Sequence, residues 1–104
     1  MTRSVAYSPQ ARQQLTDLYT WIATASGSTD RAEGYVSAIV DYCDGLANFP
    51  MIGVAREDIR PGLRVVGFRR RITIAFAIAE ETVEILDIYY GGRDYETLLS
   101  ADAN

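Results

Sequence analysis

At Pro50 the spacing of apolar side chains changes, and that change restricts the chain to one class of fold. Before it, Ala11, Leu15, Leu18, Tyr19, Ile22 and Ala25 recur at helical intervals, and so do Ala32, Tyr35, Val36, Ile39, Val40, Cys43, Leu46 and Ala47. Each set lines one stripe of an amphipathic helix. Beyond it, Ile72, Ile74, Phe76 and Ile78 alternate with Thr73, Ala75 and Ala77, which is the period of a strand. The chain is therefore helical first and sheet-forming second, apart from a short strand at Val5 and Tyr7 in "RSVAYSP".

Punctuation residues mark the elements. Ser8 followed by Pro9 predicts a helix start, because serine caps and proline suits the first helical position. "SGSTD" separates the helices, with Thr29 or Asp30 expected as the second cap and Glu33 as the capping-box partner of Asp30. Pro50 closes the second helix, and the residues from Met51 to Gly62 read as a loop. "LRVVGF", "ITIAFAI" and "TVEILDIYY" read as strands, joined at Arg69–Arg71 and at Ala79–Glu81. Gly91 and Gly92 end the last strand at a turn that needs positive φ, and "RDYETLL" reads as a final helical turn. The order is β-α-α-β-β-β: an α+β fold of two layers, with a helix hairpin packed on an antiparallel sheet. The larger residues of "ITIAFAI" should face the helices, where volume must be filled. Gly45, inside the second helical pattern, is expected to permit close packing.

The 104 residues fit one domain spanning 1–104, with 48% hydrophobic and 23% charged residues, the mixture of a globular chain. No apolar run approaches the roughly 20 residues that cross a bilayer, and no signal-peptide core follows Arg3, so no membrane role and a cytoplasmic location are expected. Cys43 stands alone within a helical apolar pattern and reads as a buried structural thiol.

Two absences bear on chemistry. The chain has no histidine and no lysine; all ten positive charges are arginine. Arginine forks well onto carboxylates and phosphates but transfers protons poorly. The net charge is −4 and the pI about 4.6. Recognition of anions is easy to build from such residues, and acid–base catalysis is harder. The acidic cluster Glu80, Glu81 and Glu84 lacks ligand spacing, so neither a metal site nor any cofactor is expected.

With these elements in order, the chain resembles the RelE/ParE superfamily of bacterial toxins, and within it ParE. "FPMIGVAREDIRPGLR" resembles the family's loop after the helices, "ITIAFAI" its alternating central strand, and "VEILDIYYGGRDYETLL" its last strand and ending. The similarity runs from Val5 to Leu99, with Tyr90 standing where many relatives carry histidine. The resemblance implies the toxin of a type II toxin–antitoxin pair, of the plasmid-stabilising kind, that inhibits DNA gyrase rather than acting as an enzyme. It implies neutralisation by a cognate ParD-like antitoxin with a DNA-binding N-terminal part and a tail laid on the toxin. The alternative is a RelE-type nuclease that cuts messenger RNA on the ribosome. The acidic, histidine-free composition argues against that alternative, and direct nucleic-acid binding is not expected.

Arg69, Arg70 and Arg71 crowd three like charges at the junction of two strands. They read either as an ordinary polar turn or as a cationic patch for an acidic partner. Arg64 and Arg93 are candidates to join that patch, with surface salt bridges to Asp87, Asp94 or Glu84 as the alternative. Tyr89 and Tyr90 fall on opposite faces, and Tyr90 is a candidate partner contact. Trp21, between Leu18 and Ile22, is expected at the edge of the core.

Overall fold

The computed structural model describes residues 3–91. Strand β1 (Ser4–Tyr7) leads into helix α1 (Pro9–Ser26). Ser8 caps that helix: its Oγ accepts from the Ala11 N–H at 2.9 Å, and Pro9 is the first helical residue. Gly27, at φ 71°, closes α1 with its N–H on the Ala23 carbonyl, and Ser28 opens α2 (Thr29–Gly45) by accepting from the Arg31 N–H. The second cap is thus Ser28, not Thr29 or Asp30: the left-handed glycine ends α1 so abruptly that the next serine already sits at the capping position. This two-residue join folds α2 back along α1.

The second half contains β3 (Leu63–Phe68), β4 (Ile72–Ile78) and β5 (Thr82–Tyr90), preceded by a two-residue strand, β2 (Val54–Ala55), inside the segment expected to be loop. The sheet order is β1-β5-β4-β3-β2. Every pairing is antiparallel except β1 with β5, which is parallel, because β1 joins only after the helical excursion.

One face of the sheet packs on the helices. Ile72, Ile74 and Phe76 of β4 meet Ala11, Leu18, Ile39 and Cys43, as the alternation predicts. Phe76, Ile74 and Ile39 are fully buried, and each such side chain contributes roughly 1.5–3 kcal/mol. The other face carries a smaller cluster of Leu63, Val65, Ala75, Leu86 and Tyr89. Gly45 is the last residue of α2, and a Cβ there would meet nothing within 4 Å, so close packing does not explain it.

A bulge in β5 was not evident from the sequence. Ala75 pairs with Asp87 and Phe76 with Ile85, leaving Leu86 as an extra residue. The inward set is therefore Val83 and Ile85 before the bulge, then Ile88 and Tyr90 after it. Backbone groups loosened there are satisfied from α1 and its cap: Ser8 Oγ donates to the Leu86 carbonyl at 2.7 Å, and the Ile88 N–H donates to Gln14 Oε1 at 2.7 Å. The parity change turns Tyr90 toward the helices and Tyr89 toward the outer face.

Candidate functional site

The β3–β4 connection carries the arginine run. Arg69 and Arg70 both have left-handed backbone, with φ of 53° and 64°. This is the conformation of tight primed turns, where glycine and asparagine are the comfortable residues. Holding a non-glycine residue there costs about 1–2 kcal/mol. The turn therefore keeps its arginines against local preference.

Arg69 does not extend freely into water. Its guanidinium lies 5.2 Å from the Phe68 ring centroid and 5.9 Å from that of Tyr35 on α2. Cations over aromatic faces at exposed sites gain about 0.5–1 kcal/mol. Phe68 in turn leans on Tyr42, with centroids 4.8 Å apart. Arg71 is tied in through the backbone, its carbonyl accepting the Gly91 N–H at 2.7 Å, and Gly91 has the positive φ expected of it. Ile72 sits opposite Tyr90 in the ladder, so Tyr90 is a direct neighbour of the turn.

Tyr90 meets Trp21 of α1, with ring centroids 5.2 Å apart and planes inclined by 49°. Trp21 is 54% exposed, well outside the core edge expected for it. The Tyr35 phenol is pushed above its ordinary value, first by burial and then by Tyr90, while Arg69 and Arg71 pull it partly back. Two depressions flank the Trp21–Tyr90 pair. One, of about 530 Å³, is lined by Gln14, Asp17, Leu18 and Ile88 with the two tyrosines of β5. The other, of about 460 Å³, is lined by Ile22, Ser26, Arg31, Gly34, Tyr35 and Arg69.

The structure brings together Arg69, Arg71 and Tyr90, with Arg70 beside them in the turn. Arg64 lies elsewhere. It faces Phe76 in the ladder, several residues from the turn, and its guanidinium donates to the carbonyls of Ile52 (3.0 Å), Met51 (2.8 Å) and Gly53 (3.3 Å). It clamps the loop before β2, and among the described residues it forms no salt bridge with Asp87 or Glu84; Asp94 lies outside them. Arg93 lies outside the described residues. Sequence reasoning missed Arg31, Gly34, Tyr35 and the outward placement of Trp21. The one available signal was Gly34, a glycine in mid-helix.

Other titratable groups serve the fold. Tyr7 donates to Asp44 Oδ1 at 2.8 Å, and its phenol is raised, chiefly by burial. The Cys43 thiol is pushed up to about 12, by burial first and Asp44 second, which makes it inert as a nucleophile. Among the described residues no three acidic or cysteine side chains gather as metal ligands, and no described helix is long and apolar enough to cross a membrane.

Comparison with known proteins agrees with this architecture. The solved structure described as the chromosomal ParDE TA system from P. aeruginosa contains a chain that superimposes with a TM-score of 0.73. The two chains are 22% identical over 86% of this one and 97% of the other. Among curated proteins, no sequence matches. The family profile of the ParE toxin of type II toxin–antitoxin systems, parDE, matches residues 5–95, and the chain belongs to that family.

Proposed function

We propose that this toxin acts by binding: it inhibits DNA gyrase in the cytoplasm and is held inactive by a cognate ParD-like antitoxin whose acidic tail docks at the Arg69–Arg71 turn. The observation that carries the docking site is the turn itself. Arg69 and Arg70 occupy left-handed positions that glycine would fill at less cost, and Arg69 is aimed along aromatic rings, with no ion pair to a carboxylate among the described residues. A peptide that brings carboxylates to this edge gains charge-assisted hydrogen bonds and relieves the mutual repulsion of three adjacent cations.

Absence of catalysis is supported by the residues present. A messenger-cleaving site needs a base and an acid beside the phosphate. The turn offers arginines and the tyrosines Tyr35 and Tyr90, with the Tyr35 phenol shifted further from neutrality by burial.

Induced expression with and without the product of the adjoining reading frame tests this. The expected result is growth arrest with DNA damage and intact messages, relieved by that product, together with loss of supercoiling by purified gyrase. Cut messages with normal supercoiling would establish the RelE-type alternative. Normal growth on strong induction would refute toxicity. For the docking site, the triple variant Arg69→Glu, Arg70→Glu, Arg71→Glu should bind antitoxin more weakly and with a shallower salt dependence. Unchanged affinity would place the antitoxin elsewhere.

A further inference from the structure

Gly34 lies in the middle of α2, exposed, and a Cβ built on it would meet nothing within 4 Å. Its φ is not positive, so the backbone does not require glycine. Glycine in a helix interior costs about 1 kcal/mol relative to alanine. Nothing in the described fold uses the space that the missing side chain leaves. That space opens into the 460 Å³ depression, whose walls are Trp21, Ile22, Tyr35 and Tyr90 and whose charged lining residues are Arg31 and Arg69. Trp21, 54% exposed, is the largest apolar surface beside it.

These observations are independent and point one way. A helix that gives up a side chain, a tryptophan left in water and two arginines with no carboxylate among the described lining residues together form an apolar hole with a cationic rim. Centrally placed tryptophan, tyrosine and arginine are the residues that carry most binding energy at protein interfaces.

We propose that this depression is the anchor socket for the antitoxin, an inference that rests on the toxin–antitoxin reading above. A bulky apolar side chain of the antitoxin sits over Gly34 against Trp21 and Tyr35, and a carboxylate on the same segment meets Arg31 and Arg69. Charge selects this occupant. A second copy of the chain, docking through the same patch about a two-fold axis, would set arginine against arginine. A nucleic acid would need many phosphate contacts from a chain whose net charge is −4.

Trp21 is the sole tryptophan, so fluorotryptophan incorporated into the full-length toxin reports on the socket alone, whatever the partner contains. On titration with the adjoining frame's product, the fluorine resonance of Trp21 should move. Gly34→Leu, which fills the hole, and Arg31→Glu, which reverses the rim, should each weaken binding about tenfold or more. Gly34→Ala guards against a folding artefact: it should melt at or above the parent temperature and bind more weakly than the parent. A complex that forms with a silent Trp21 resonance and parental affinity in these variants overturns the socket and leaves the toxin–antitoxin reading standing. Failure of any complex to form overturns both. A shift that follows toxin concentration, or addition of a single-stranded oligonucleotide, without one on adding antitoxin, assigns the surface to another occupant and overturns the proposal.

Discussion

Replacing Arg64 with methionine should destabilise the protein without touching the binding surface. The methionine keeps much of the apolar stem and removes the guanidinium that spans the carbonyls of Met51, Ile52 and Gly53. The Nε bond is partly buried, and the two from Nη2 are exposed. Taking about 1.5 kcal/mol for the first and about 0.5 for each of the others gives a loss of about 2.5 kcal/mol. The loop cannot easily re-form these bonds. Gly53, at φ +76°, approaches the Val65 carbonyl so closely that a Cβ there would lie 2.3 Å from it, so the segment has little room to shift. Arg64→Lys restores a point charge but not the fork, and should recover less than half of the loss.

Urea denaturation of parent and variant measures the global change, and amide exchange at Val54 and Ala55 measures the local one. Part of the loss will appear as local opening of β2, which lies at the sheet edge. Antitoxin affinity should be unaltered in the folded variant. A stability change below about 0.5 kcal/mol, the range of an unremarkable surface substitution, would refute the clamp. So would parental protection of Val54 and Ala55.

Arg70→Gly should stabilise the fold by a few tenths to about 1 kcal/mol, because relief of the left-handed strain outweighs the added freedom of the unfolded chain, while antitoxin binding falls; thermal melting and a binding titration read the two effects. Phe76→Ala, at a fully buried position, should cost about 3–5 kcal/mol in urea denaturation. Cys43 ionises ordinarily near 9 and is raised to about 12 in the fold, so the unfolded chain releases its proton first. Its contribution to stability is whole below pH about 9 and is lost as pH rises toward about 12; Cys43→Ala should therefore show a shallower alkaline decline, by up to about 1.4 kcal/mol per pH unit, in denaturation at a series of pH values. Tyr7, also raised, keeps some of that decline in the variant.

Local signals carried the architecture and failed where side chains answer to tertiary contacts. The α1 cap at Ser8–Pro9, the inward row of Ile72, Ile74 and Phe76, and the turn at Gly91 were legible because each depends on neighbours in sequence. Strand β2 was not, because its pairing rests on a clamp from Arg64, across the loop. The bulge at Leu86 was not, because alternation in "TVEILDIYY" reads smoothly and the displaced groups are satisfied by Ser8 and Gln14, far away in sequence. Without the bulge, strict alternation from Ile85 would send Tyr89 inward and Tyr90 outward. The site's tyrosine is thus aimed by an irregularity that composition and period do not encode. Arg64 shows the converse error: a charge near other charges in sequence lies at the far end of its strand in space.

Several local rules are broken near one end of the helix hairpin. Glycine stands in mid-helix at position 34, arginines take left-handed positions at 69 and 70, and tryptophan faces water at 21. The mid-helix glycine and the left-handed arginines each weaken the isolated fold by an amount comparable to a good hydrogen bond. Natural sequences are otherwise locally consistent, and grouped exceptions mark places where something besides folding selects the residues. Here Gly34 and Arg69 line one depression, Trp21 and Tyr90 wall it, and Arg70 is next in the turn. Scattered defects would give no common ligand chemistry, whereas these combine apolar surface, an opening and positive charge. The strain follows the binding surface, so the substitutions that best stabilise this protein at Gly34 and Arg70 are those expected to impair its hold on a partner.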